Sequence, residues 1–252
     1  QKLKRAAPWL FLLLVLAGLA AVRGLAANYE IGYEIMNGDF QNYNPVRHLL
    51  AGQVPYRDFT VYLGAGELYS VGGLLLVLGN SFGRSMFATN FCTWFYFELL
   101  VLAVCLVVIG TARAARAAAL ALCSVFFAYV QGANLPFAGQ VNTLLSYAAA
   151  NGNSARMMRS AALTLAVLVI LLGLHFWQQD TSRRLLAPAV LVPFAAGFFV
   201  PWSNDMGGAA YISIALGYGL YLIRLYRSSI GKIVVQTLRY IVTSVVGLGV
   251  SV

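Results

Sequence analysis

The chain has 252 residues, of which 60% are hydrophobic and only 10% charged, whereas soluble domains carry roughly a quarter charged residues. That balance excludes an ordinary soluble domain, so the unit to count is the membrane-crossing helix, which needs about 20 apolar residues. The 17 Lys and Arg against 8 Asp and Glu give a formal charge of +9; no basic run interleaves with aromatics outside apolar stretches, so the excess is read as topology and headgroup contact and not as nucleic-acid binding.

Lys2, Lys4 and Arg5 precede a first span predicted from about Pro8 to Ala27, which places the N-terminus in the cytoplasm and the next loop outside. The span is long and has no small-residue cleavage site at its end, so a retained helix is expected and not a cleaved signal. Residues 28–86 form the first extracytoplasmic loop, with juxtamembrane helices. Glu30, Glu34, Asp39, Asp58 and Glu67 lie in it, five of the eight acids in the chain. Within it, residues 61–80 are apolar but short, glycine-rich and interrupted by Glu67; they could span, but then Arg113 and Arg116 would land outside, so they are expected to lie at the interface or to re-enter.

The stretch from Phe87 to Gly110 then crosses inward and delivers Arg113 and Arg116 to the cytoplasm, and Ala117 to Tyr129 returns outward. An outer loop follows, with a short amphipathic helix from Val141 to Ala150. Further spans are predicted at 160–177, 185–201, 207–222 and 233–250, with Arg183, Arg184, Arg224, Arg227 and Lys232 inside and residues 201–208 outside. The fold class is thus all-α, a polytopic transmembrane bundle of about seven spans in a plasma or inner membrane. Cys92, Cys105 and Cys123 sit in apolar stretches as packing residues. The last apolar stretch runs into the C-terminus without a polar tail, so 1–252 is expected to be the N-terminal transmembrane module of a longer protein.

Chemistry concentrates in residues 38–69. Gly38-Asp39 reads as a turn, Asn44-Pro45 as a helix start, and Gly52 as the stop of that helix after Ala51. Pro55 bends the chain before Tyr56, Arg57 and Asp58. A carboxylate at a bilayer interface is partly desolvated and can act as a base toward a hydroxyl, which makes Asp39 the first candidate; a solvated turn or cap residue is the alternative. Asp58 beside Arg57 also reads as an exposed ion pair. Arg47, Arg57, Arg84, Arg156 and Arg159 all fall outside, where guanidinium groups suit a phosphate or pyrophosphate, or else lipid headgroups. Asp205 is either a second carboxylate at the site or part of an Asn-Asp turn. His48 and His175 have no partner at metal-ligand spacing, and the chain lacks HExxH, GxSxG, GxxxxGK[ST] and paired CxxC motifs.

A first transmembrane helix followed by Gly38-Asp39, Tyr43, LLAGQVPYRDF and a glycine- and tyrosine-rich stretch resembles the GT-C glycosyltransferases, which include polyprenyl-phosphate-dependent mannosyl-, arabinosyl- and aminoarabinosyltransferases. The resemblance covers residues 8–135 best. It implies inverting transfer of a sugar from a polyprenyl-phosphate carrier to a glycan, lipid or protein acceptor at the outer membrane face, with cell-envelope biogenesis as the setting. The family's acid in the first outer loop matches Asp39, and Tyr56, Arg57 and Asp58 match the second half of that loop. Pro45 departs from the family's usual continuous helix, and the second outer loop has no acid. With Asp39 as the catalytic residue, the substrate-binding candidates are Tyr43, Arg47, Tyr56, Arg57, Asp58, Glu67 and Asp205. No metal ligand is assigned, and a divalent metal is left open.

The rival from another class is a transporter or lipid flippase, which needs an ionisable group at mid-membrane depth. Glu98, between Phe97 and Leu99, is the residue that would serve it. A scaffolding subunit is the third reading, and the acid-rich first loop speaks against it.

Overall fold

The computed structural model describes residues 2–29, 37–61, 63–110, 113–129 and 190–251. It is all-helical: no strand occurs among the described residues, and the one β-bridge, Pro55 to Phe59, closes a turn. The helices are α1 (Lys2–Tyr29), α2 (Asn37–Leu50), α3 (Ala65–Leu78), α4 (Phe82–Ile109), α5 (Ala114–Tyr129), α6 (Val192–Phe198), α7 (Met206–Leu225) and α8 (Ile230–Ser251). They belong to two compact units, residues 1–61 with 67–158, and residues 62–66 with 159–252.

Among the described residues, three helical stretches are long and apolar enough to cross a membrane: Phe82–Leu106, Met206–Leu225 and Ile230–Ser251. Shorter apolar stretches occur at Ala7–Val22, Ala65–Leu78 and Ala114–Phe126. α3, with 14 residues, rises only about 21 Å at 1.5 Å per residue, less than the ~30 Å hydrocarbon core. The predicted span at 160–177 and the short helix at 141–150 lie outside the described residues, as do Arg156, Arg159, His175, Arg183 and Arg184. The predicted span at 185–201 needs correction over its described part, because α6 stops at Phe198 and residues 199–202 turn.

α4 is the axis of the first unit. Leu12 and Leu16 of α1 pack with Leu102 and Cys105 of α4, and Ala20 packs with Trp94 and Phe97. A Cβ on Gly24 would lie 2.9 Å from the Phe87 ring. Rising numbers on α1 thus meet falling numbers on α4, so the two helices are antiparallel. α5 returns along α4 after Gly110, whose φ of 87° suits a residue without Cβ, and Ala117 and Ala121 join the same cluster. In a bilayer, apolar burial adds little to association, and close van der Waals packing of small residues does more. Ala20, Gly24, Ala117 and Ala121 are residues of that kind.

On another side of α4, Val46 of α2, Leu68, Val71 and Leu75 of α3, and Ala88 and Cys92 of α4 form one buried cluster, which Val61 completes. Ser70 and Tyr96 share a 2.9 Å hydrogen bond between α3 and α4. The antiparallel α3–α4 pair turns at Gly79, with φ 93°, and α4 starts at the N-cap Ser81, whose hydroxyl accepts from the Arg84 N–H.

In the second unit, α6 packs on α8 through glycine. A Cβ on Gly197 would collide with the Ser244 backbone, and one on Gly247 with the carbonyl of Phe194. Val192, Ala196, Ile214 and Tyr240 form the core, and Tyr211 Oη and Ser244 Oγ lie 3.0 Å apart. Residues 64–66 dock on the turn after α6: the N–H groups of Ala65 and Gly66 donate to the carbonyls of Pro201 and Trp202 at 2.8 and 3.0 Å. The indole of Trp202 occupies the space that a side chain on Gly66 would need.

Candidate functional site

α2 begins at Asn37, so Gly38 and Asp39 lie in its first turn and do not form a separate turn. The expected start at Asn44-Pro45 also needs correction, since Pro45 sits inside the helix. Proline there removes one N–H and crowds the carbonyl of Gln41, at a local cost of roughly 3 kcal/mol. Contacts made on both sides of the proline offset that cost. Phe40 stacks on Phe82 with ring centroids 4.6 Å apart, Tyr43 meets Phe82 edge-on at 5.8 Å, and Val46 is fully buried.

The expected stop holds in detail. The N–H of Gln53 donates to the carbonyl of His48 at 3.1 Å and that of Gly52 to Leu49 at 2.9 Å. Gly52 has a φ of 82°, and this pair of bonds with a left-handed residue is the Schellman helix end.

Two polar groupings result, one along the middle and last turn of α2 on the side that faces the α3–α4 turn, and one at the loop that follows the helix. At the first, the Tyr43 phenol donates to Asn80 Oδ1 at 2.9 Å, and the Arg47 guanidinium lies 5.8 Å from the Tyr43 ring centroid. The Arg84 guanidinium occupies the space beside Gly79 that a Cβ would fill. Two arginines and a tyrosine thus gather round the α3–α4 turn, and the backbone of Asp39 is one residue from Phe40, which stacks there. Sequence reasoning singled out Asp39, Tyr43, Arg47 and Arg84 but missed Phe40, Asn80 and Phe82. The signal for Asn80 was the Gly-Asn-Ser triplet just before a long apolar run.

At the second, residues 54–59 fold into a tight turn. Val54 accepts from the N–H groups of Arg57 and Asp58, and Tyr56 donates its N–H to Phe59. Tyr56 carries a φ of 62°, the one positive value among described residues other than glycine, and its ring is exposed. Asp58 Oδ2 accepts from the Val54 N–H at 2.8 Å, while Arg57 donates through Nε to Oδ1 and through Nη2 to Oδ2 at 2.8 and 2.9 Å. The guanidinium hydrogen bonds, then the Val54 N–H, hold the Asp58 carboxyl down at about 2, and the same pairing raises Arg57. Phe59 stacks on His48 at 5.2 Å, which ties this turn to the last turns of α2.

The sequence reading joined Asp39 and Tyr56-Arg57-Asp58 in one site. Nine residues of helix separate Asp39 from His48, a rise of about 14 Å, so they belong to different ends of α2. Glu67 is buried in the first turn of α3, 4% exposed, and raises no charge toward solvent. Glu98 is fully buried on α4, on the stripe with Trp94 and Leu102 that packs on α1. In the second unit Asp205 is the N-cap of α7: its Oδ1 accepts from the Met206 N–H at 3.0 Å and from the Ser203 hydroxyl at 2.6 Å. The sequence weighed a turn for Asp205; the structure makes it a helix cap as well. Among the described residues no three His, Cys, Asp or Glu side chains come together as a metal site.

Comparison of the chain with protein-family models, with curated proteins and with solved structures finds no match in any of the three.

Proposed function

We propose that the protein is a membrane-embedded inverting glycosyltransferase that takes its sugar from a polyprenyl-phosphate carrier. In this reading the chain crosses a plasma or inner membrane about seven times, with the N-terminus cytoplasmic and the site on the outer face, and it belongs with the GT-C enzymes that its first loop resembles. The observation that carries the reading is the placing of Asp39 in the first turn of a short loop helix, one residue from the Phe40–Phe82 stack and one helical turn before Tyr43, with Arg47 further along the same helix and Arg84 across the α3–α4 turn.

Asp39 takes the proton of an acceptor hydroxyl as that oxygen attacks the anomeric carbon. The bond from carbon to phosphate oxygen breaks on the opposite face, and the electron pair leaves with the lipid phosphate, whose charge Arg47 and Arg84 offset. Tyr56, with its strained backbone beside the Arg57–Asp58 pair, faces solvent at the other end of α2 and suits the acceptor better than the carrier phosphate. Purified protein should transfer radiolabelled sugar from one of a panel of polyprenyl-phosphate donors, and Asp39→Asn should abolish transfer while leaving the protein folded. Normal transfer by Asp39→Asn rejects the base assignment; no transfer from any donor rejects the enzyme class.

The second reading, a transporter or flippase, rests on Glu98, which is fully buried within the longest candidate span among the described residues. Uptake or scrambling in vesicles that is lost in Glu98→Gln supports it.

A further inference from the structure

A cavity of about 340 Å³ opens between the first halves of α1 and α5, with Pro8, Trp9 and Val15 on one wall and Ala115, Ala118 and Leu122 on the other. Its lining is apolar. It lies at the Ile109 end of α4, because α1 and α5 both run antiparallel to α4 and so start together. The Tyr43–Asn80 grouping lies at the Phe82 end, 27 residues away, or about 40 Å of helix. That exceeds the ~30 Å hydrocarbon thickness, so the cavity and the candidate site face opposite sides of any membrane that α4 spans.

The charge at the cavity end has one sign. Arg113 precedes Ala114 and Arg116 follows Ala115, and both are exposed. Lys4 and Arg5 stand one helical turn before Pro8 and Trp9. Neither α1 nor the chain from 99 to 129 contains an acid. An apolar slot beside clustered basic residues at a membrane surface matches an acyl chain joined to an anionic headgroup. Trp9, 39% exposed, adds an aromatic of the type that settles at headgroup level.

We propose that this cavity is a binding site for an anionic diacyl phospholipid, with one acyl chain between α1 and α5 and the phosphate among the basic residues that start the two helices. The site is independent of glycosyl transfer. It gives the protein a lipid requirement set at the opposite face from the candidate catalytic end.

The test exchanges the detergent-purified full chain into equal amounts of phosphatidylglycerol and phosphatidylcholine and counts retained lipid by native mass spectrometry. Retention of one phosphatidylglycerol in preference to phosphatidylcholine is expected. Arg113→Gln and Arg116→Gln should each lower the preference about fivefold, as an arginine near a membrane surface does. Ala118→Phe should remove the retained lipid. Quenching of Trp9 by phosphatidylglycerol with brominated acyl chains, taken as the difference between wild type and Trp9→Phe, reads the site without filling it. Equal retention of the two lipids, full retention in a folded Ala118→Phe protein, or absence of Trp9 quenching overturns the proposal, the last because another segment then fills the slot.

Discussion

The phenol of Tyr43, on α2, donates a 2.9 Å hydrogen bond to Asn80 in the turn between α3 and α4. This bond fixes the rotation of a loop helix that is otherwise held by the Val46 cluster and by the Phe40–Phe82 stack. Tyr43→Phe should lower stability by about 0.5–1.5 kcal/mol, the usual net value of one such bond. Asn80→Ala should cost a similar amount, and the double variant should cost less than the sum, because both single changes break the same bond. Thermal unfolding in detergent measures all three; strict additivity would mean that the bond carries no energy.

The pairing of Gly247 with the Phe194 backbone, and of Gly197 with Ser244, leaves no room for a methyl group. Gly247→Ala should therefore push α8 from α6 and destabilise the protein by about 1–3 kcal/mol, the range for overpacking a close contact. Gly249, two residues on, has nothing within reach of a Cβ. Gly249→Ala should be neutral or stabilising by about 0.5–1 kcal/mol, through helix propensity alone. Unfolding curves of the two variants give the comparison, and equal effects would refute the close helix crossing.

How far the sequence reveals this architecture depends on whether a signal is local. The long apolar runs predict α4, α7 and α8 to within a few residues, and Gly52 predicts the end of α2, because a left-handed residue is needed there whatever packs around it. Asn44-Pro45 misleads, because a local start signal was overridden by contacts of Phe40 and Tyr43 with Asn80 and Phe82. The turn after Phe198 is hidden in an apolar run for a similar reason: its carbonyls bond to Ala65 and Gly66, about 136 residues earlier. At the site, the sequence singles out Asp39, Tyr43 and Arg47, but it puts Asp39 in a turn and starts the helix at Asn44-Pro45, so it does not foresee that the three share α2. It cannot tell that the Arg57–Asp58 turn folds back on His48, since the Phe59–His48 stack depends on the loop's path.

The Asp58 carboxyl, ordinarily at 3.8, is held at about 2 by Arg57 and the Val54 N–H. A depressed acid contributes stability that is fully present above its unfolded value and is lost as pH falls through its folded value. The 54–59 turn should therefore hold down to about pH 4 and open between there and pH 2. A carbon-13 titration of the Asp58 carboxyl should show a midpoint near 2, moving up toward 3.8 in Arg57→Gln. A wild-type midpoint at 3.8 would show that the ion pair does not form in solution.

Asp39 and Glu98 separate the two functional readings, because one lies in the first turn of α2 and the other is fully buried in the apolar helix α4. If Asp39 is a general base, Asp39→Asn removes a proton acceptor that contributes about 10²- to 10⁴-fold to rate. The loss should then appear in kcat with the affinity for donor lipid nearly unchanged. Glu98→Gln keeps the size of the side chain and should leave transfer within a few fold, since it lies on the α1-facing stripe of α4 and away from α2. If the protein instead moves a solute or lipid, the order reverses: Glu98→Gln abolishes flux, because a buried carboxylate that changes charge is the coupling element, and Asp39→Asn does not. Sugar transfer and vesicle flux measured on the same two variants decide between the readings, and loss of both activities in Glu98→Gln alone would count against Asp39 as the base.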